Sequence, residues 1–338
     1  MATPKPKILL SGMISGVPRQ GGATWAVLQY LLGFERLGCE IHFIEPVEEA
    51  ALRPVGVPLL RSDNAAYFRR VMADFGMSQT SALLLAGTQQ TVGVSYERLR
   101  ELARRVDVLV NISGLLTDEA LIGDIPLRAY LDPAFTQLWQ AAEGIDMRFA
   151  AHNRFVTIGQ AIGAPGCVVP TCGLEWVTTP QPIVLERWTP GRITTHNALT
   201  TVANCRGSGS IEHEGVFYGQ KVHSWRQFFS LPVLSGERFA PALAIHPEER
   251  GPGGLARQRL ALDRPGACDP DARRLPALRS WFQGRVRHRQ EWLRGLPLRL
   301  VQRPECLLPS FGSTSYRPGD WFQPISTGGG WALRLRDD

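Results

Sequence analysis

The strongest constraint on the fold is an alternation of short apolar strands with amphipathic helices through about the first 180 residues. Ile8 to Ser11 reads as a strand, followed by a glycine-rich turn from Gly12 to Gly22 and a helix from about Ala23 to Leu37. In that helix Val27, Leu31 and Phe34 recur at i, i+4 and i+7 with Leu28 and Leu32 beside them, which makes one apolar stripe. Gly38 is placed to end the helix in the left-handed conformation. A second strand spans Glu40 to Ile44 and is closed by Pro46. Val106 to Ile112 is apolar almost without interruption, as a strand covered on both faces must be. Helices are expected at about Asn64 to Phe75 and Ser95 to Arg105, with further strands at Ala82 to Leu85, Arg128 to Leu131, Phe155 to Ile158 and Cys167 to Val169. Strands alternating with helices predict an α/β fold, a parallel sheet covered by helices.

A proline-bearing stretch (Pro180, Pro182, Pro190) reads as a connection. A strand at Leu199 to Ala203, a polar glycine-rich loop, a helix near His223 to Phe229 and a strand at Phe239 to Ile245 then open a second β-loop-α-β unit. The expected organisation is a first domain over 1–180, a linker over 181–198, the start of a second domain over 199–249, and a tail over 250–338. In the tail the pattern stops. It has three Ile and Val (Val286, Val301, Ile325) against sixteen Arg and nine Pro, too few β-formers for a buried sheet, so poor order is expected there.

Charge follows the same division. Residues 1–249 carry 21 Lys and Arg against 23 acids, whereas 250–338 carry 16 Arg against 8 acids. The formal net charge of +6 therefore belongs to the tail and does not by itself make the front part a nucleic-acid binder. Six scattered cysteines (Cys39, Cys167, Cys172, Cys205, Cys268, Cys306) fit neither a disulfide scaffold nor a zinc knuckle. No stretch reaches the roughly 20 apolar residues of a membrane span, and the three-residue run Ile8-Leu9-Leu10 is too short for a signal peptide. A cytoplasmic location is expected.

Three segments in order carry a resemblance: Gly12 to Trp25 with its Gly21-Gly22 turn, Tyr130 to Trp139 (Tyr-Leu-Asp-Pro-Ala-Phe-Thr-Gln-Leu-Trp), and Thr200 to Lys221. Together with the run from Leu37-Gly38 to Pro46 they are similar to the GT-B nucleotide-sugar glycosyltransferases, and to a little-described bacterial branch of them, over roughly residues 6–249. The resemblance implies an α/β, GT-B-like architecture with two Rossmann-type domains, the second of them incomplete. It also implies transfer of a sugar from a nucleotide-sugar donor to an unknown acceptor, with no cofactor, no obligatory metal and no nucleic-acid partner. The tail admits a further reading. Shifted by one base near codon 250, and with synonymous codons chosen for it, it resembles the donor-binding end of such an enzyme. The chain would then be truncated in effect and impaired as a catalyst.

Departure of a nucleotide diphosphate needs cations and helix N-termini to take up negative charge. By position in the family pattern, Arg206 and Lys221 would bind the donor phosphates. Gly21 and Gly22 allow close backbone approach at a helix start, for an acceptor or a phosphate, or else form only a tight turn. Asp132 ends a strand and reads either as an acceptor contact or as an ordinary Asp-Pro turn. His152 is the candidate catalytic proton carrier, with a loop histidine as the plainer alternative. Glu212, His213 and Glu214 form a polar cluster that would orient the donor or solvate the loop. Two rivals remain. A nucleotide-sugar-modifying Rossmann enzyme would predict a Gly-x-Gly-x-x-Gly fingerprint, which is absent, and a non-enzymatic nucleic-acid binder would act through the basic tail.

Overall fold

The computed structural model describes residues 5–133, 135–188, 198–204, 210–218, 228 and 230–244. Strand β1 (Lys7–Ser11) leads into helix α1 (Gly21–Arg36), then β2 (Glu40–Val47), α2 (Asp63–Asp74), β3 (Ser81–Leu85) and β4 (Thr91–Gly93). Helix α3 (Tyr96–Ala103), β5 (Val108–Ile112), α4 (Glu119–Ile122), β6 (Leu127–Asp132), α5 (Thr136–Glu143), β7 (Arg154–Thr157) and β8 (Trp176–Thr178) follow. These eight strands form one sheet in the order β4-β3-β2-β1-β5-β6-β7-β8, and every pair is parallel except β3–β4. The chain winds outward from β1 in one direction, then returns to β5 and winds the other way. That reversal defines a doubly wound α/β sheet.

Both faces are covered. On one, α1 and α2 bury Leu28, Leu31, Phe68 and Met72 against Leu10, Phe43 and Val110. On the other, α3 and α4 bury Leu99, Leu121 and Ile122 against Leu9, Ile44 and Leu109. Leu28 and Leu31 are 0% exposed, so truncating either to Ala should cost about 3 kcal/mol. The end of α1 follows the expectation for Gly38: at φ +76 it donates to the Glu35 carbonyl, while Cys39 N–H donates to Phe34, the paired bonds of a Schellman cap. Ser62 and Ser95 cap α2 and α3 in the same local fashion, each side chain accepting an amide from three residues on.

Three boundaries differ from the sequence reading. Pro46 lies within β2 rather than closing it, because β1 ends at the register pair Ser11–Ile44 and beyond that point β2 pairs only with β3. A proline is tolerated where one side of the strand needs no donor. Cys167 to Val169 is not a strand but loop, with Val169 buried against Phe135 and Leu138. The last sheet strand is instead Trp176–Thr178, whose ring joins an aromatic group with Tyr130, Phe149 and Phe155. The third difference lies in the stretch expected to be a linker. Val184 N–H donates to Gln29 of α1, Arg36 pairs with Glu186, and the Trp188 ring stands 5.1 Å from that of Trp25.

Beyond it, β9 (Leu199–Asn204) pairs in parallel with β12 (Phe239–Ala244), as expected for a β-loop-α-β opening. A hairpin, β10 (Ile211–His213) and β11 (Val216–Tyr218), was not expected from sequence. Its two-residue turn, Glu214–Gly215, has both residues at positive φ, the pattern of a type I′ hairpin. Ile211 and Tyr218 pack with Phe135, Leu138 and Ile162 beside α5. The tail 250–338, the helix expected near His223 to Phe229 (apart from Phe228), and the family-pattern residues Arg206 and Lys221 lie outside the described residues.

Candidate functional site

In a doubly wound sheet the crevice at the carboxyl ends of the strands, where the winding reverses, is the natural ligand position. Here that point lies between β1 and β5. It is bordered by the loops that follow β1 and β5, with the loop after β6 next to them. Half of the non-glycine residues at positive φ among the described residues lie in these loops. Arg19, Ser113 and Phe135, all non-glycine residues at positive φ, sit in the loops after β1, β5 and β6 respectively. Non-glycine residues take up such conformations only where surrounding structure holds them, and such positions gather at ligand sites. Hydrophobic periodicity carries no signal of this kind, so it was not legible before the fold was known.

The loop after β1 is held by side chains from three other elements. Glu45, fully buried on β2, accepts the amides of Ser15 (2.7 Å) and Gly16 (2.6 Å) on Oε1 and the Ser15 hydroxyl (2.9 Å) on Oε2. Asn64 at the start of α2 donates to the Ser15 carbonyl at 2.8 Å and accepts from the Arg53 amide. Thr24 Oγ1 on α1 donates to the Ile14 carbonyl and lies 3.0 Å from the Tyr67 hydroxyl. Burial pushes the Glu45 carboxyl up to about 7, against the pull of its hydrogen-bond donors. Sequence reasoning passed over Glu45, Asn64 and Ser15 alike.

The loop delivers the chain to Gly21 and Gly22. Helix α1 begins there with no side-chain cap and no acidic residue in its first turn. Its positive dipole end therefore has no charged group of its own to balance it. Gly21 is buried, and a Cβ placed on Gly22 would meet nothing within 4 Å, so Gly22 faces open space. Met13 and Val17 on the same loop, and Leu115 after β5, are exposed apolar side chains on this edge.

The other candidates are placed differently. Asp132 is 1% exposed, and its carboxylate takes the Thr136 amide (2.9 Å), the Thr136 hydroxyl (3.0 Å) and the Thr157 hydroxyl (2.8 Å). It fixes the start of α5 and ties β6 to β7. His152 is also buried. Asn111 Nδ2 can only donate, and its orientation is fixed because its Oδ1 takes the Leu116 amide while Nδ2 gives to the Leu116 carbonyl. His152 Nε2 must then accept from Asn111 (3.1 Å), and Nδ1 carries the proton that it donates to the Arg148 carbonyl (2.9 Å). Both ring nitrogens are engaged, which leaves neither a lone pair nor an N–H for an incoming group. Burial holds the imidazole below its ordinary range, hence neutral. The catalytic expectation for His152 therefore meets a residue packed as part of the framework under the β5 loop. Glu212 and Glu214 are exposed and His213 half-buried on the hairpin. The described structure does not bring them to Gly21 and Gly22 through any hydrogen bond.

What the fold and site define is a doubly wound α/β protein with a strained, glycine-bearing loop at its topological switch point. No protein-family model matches the chain, and no curated protein matches it in sequence. Among solved structures it is similar to an alpha-glucosyltransferase in complex with UDP and DNA containing a HMU base, with 10% identity and a TM-score of 0.40 over 73% of this chain and 57% of that one. It is similar also to an alpha-glucosyltransferase in complex with UDP-glucose and DNA containing an abasic site (11%, TM-score 0.36) and to one in complex with UDP (10%, TM-score 0.39). The aligned part spans 57% and 60% of those two chains. At these values the likeness carries no functional weight.

Proposed function

We propose that the chain is the front part of a GT-B-type nucleotide-sugar glycosyltransferase, with its acceptor side on the eight-stranded unit and the opening of its donor domain at Leu199. The observation that supports this most is the uncapped N-terminus of α1, presented at the β1–β5 switch point on a loop held from below by Glu45 and Asn64. Backbone amides at such an end, with Gly22 open to solvent, suit an oxygen-rich or anionic group, either the acceptor or a phosphate. The parallel pair β9–β12 is what a second Rossmann-type unit needs at its centre.

In this reading Arg206 and Lys221 follow the first strand of the second domain and stabilise the departing diphosphate, while Glu212, His213 and Glu214 orient the donor. Asp132 and His152 are positioning residues, which fix the loops after β6 and β5 by the bonds described above. The composition after Glu249 supports a reading-frame shift and, with it, weak or absent turnover by the chain as written. The experiment is calorimetric titration of UDP-, GDP- and dTDP-sugars into the chain and into the product of the gene restored to the alternative frame after codon 250. Micromolar binding by the restored protein, lost in Arg206→Ala and Lys221→Ala and weak in the chain as written, is the expected result. A restored protein that binds none of the three, or a gene with no coding signal in the second frame, would sink the proposal.

A further inference from the structure

Glu45 stands in an arrangement that a carboxylate tolerates poorly. It is 0% exposed, and the groups that face it are the amides of Ile14, Ser15 and Gly16 and the Ser15 hydroxyl, all of them uncharged. The charged residues on the elements around it point elsewhere. The Arg53 guanidinium donates to the carbonyls of Ala50 and Leu52, Asp63 is exposed at the start of α2, and Arg19 is exposed on the loop itself. His42, on the same strand, contacts Glu40, and β3 contributes no charged residue. Among the described residues Glu45 forms no ion pair. The neutral donors favour the ionised form and offset part of the hydration it loses, but with full burial and no counter-charge the desolvation cost is the larger of the two.

We propose that Glu45 is the positioning residue of the glycine loop and that its proton sets how firmly the loop is held, closed when the carboxyl is protonated and loosened when it is ionised. Protonated, Oε1 still accepts the two amides, while the Oε2–H donates to Ser15 Oγ and that single bond reverses direction. No charge is then buried. When the proton passes to solvent, the loop relieves the buried charge by opening to let water reach it. The elevation of this carboxyl to about 7 agrees in direction. By proton linkage, opening becomes easier by up to about tenfold per pH unit between its ordinary value of 4.5 and about 7, and levels off above that. If the loop receives a phosphate, a point that rests on the function proposed above, the bound anion favours the protonated, closed form as well.

The test reads the loop and not the ligand, so failure of the glycosyltransferase reading leaves it intact. Amide hydrogen exchange of the full chain is followed from pH 5.5 to 8, corrected for intrinsic rates. The expected result is that protection of the segment containing Ser15 and Gly16 falls roughly tenfold between pH 5.5 and 7 and then stays level. Glu45→Gln, which keeps a carbonyl oxygen for the two amides but cannot titrate, should give a flat profile. A wild-type profile that is flat or rises with pH, or a Glu45→Gln profile that falls as the wild type does, overturns the proposal. Should Glu45→Gln fail to fold, carboxyl carbon NMR of the wild type decides: titration of Glu45 near its ordinary value refutes the latch, and titration near neutrality supports it.

Discussion

Asn111 shows how much a single side chain carries at this edge. Its amide satisfies both the N–H and the C=O of Leu116 and holds His152 in one tautomer, all within a buried patch. Replacing it with Ala leaves three polar groups without partners, each costing about 1 kcal/mol or more, so a loss of roughly 3 kcal/mol is expected. Urea unfolding measures it directly. Gly22 is the opposite kind of residue. Nothing lies within reach of an added Cβ, and its position in the first turn of α1 is compatible with alanine. Gly22→Ala should leave the thermal midpoint unchanged or slightly raised, since Ala costs the unfolded chain less entropy to order. If the open face receives a ligand, the same substitution should weaken nucleotide-sugar or acceptor binding by tenfold or more in the frame-restored protein. Unaltered binding would remove Gly22 from the site.

Among the elements, α1 links the sheet to the segment that follows β8. Its inner stripe of Val27, Leu28, Leu31 and Leu32 meets the sheet, while Gln29, Arg36 and Trp25 hold Val184, Glu186 and Trp188. The exposed Arg36–Glu186 pair is worth little by itself. The anchor is the indole of Trp188 against Trp25, reinforced by Arg187 over the Phe75 ring. Trp188→Ala should cost about 1–3 kcal/mol in chemical denaturation, and trypsin should cut after Arg187 sooner than in the wild type. Unchanged cleavage would mean that the segment is held by Val184 alone. The sequence pointed to this stretch only through its prolines, and proline content cannot tell a free connection from one that packs against a helix. The same limit applied to Cys167–Val169, where a three-residue apolar run gave no means of separating a strand from a buried loop.

For the whole molecule the plainest asymmetry is charge, with the basic excess confined to residues 250–338. The full chain should therefore bind a heparin column and elute as salt rises, whereas a chain ending at Glu249 should pass through. Retention of the shortened chain would place a basic surface on the α/β unit and revive the nucleic-acid reading. The order of the parallel strands and longer helices from Lys7 to Asp132 (though not β4 or α4), the helix stripes, the Gly38 cap and the parallel pair Leu199–Asn204 with Phe239–Ala244 were legible in the sequence. Each depends on periods and caps acting within a few residues of one another. Tertiary structure alone decided the strand order, the tautomer of His152 and the seat of Glu45 under Ser15 and Gly16. Those side-chain contacts join residues 29 to 41 positions apart, and only the folded sheet brings such distant neighbours within hydrogen-bond reach.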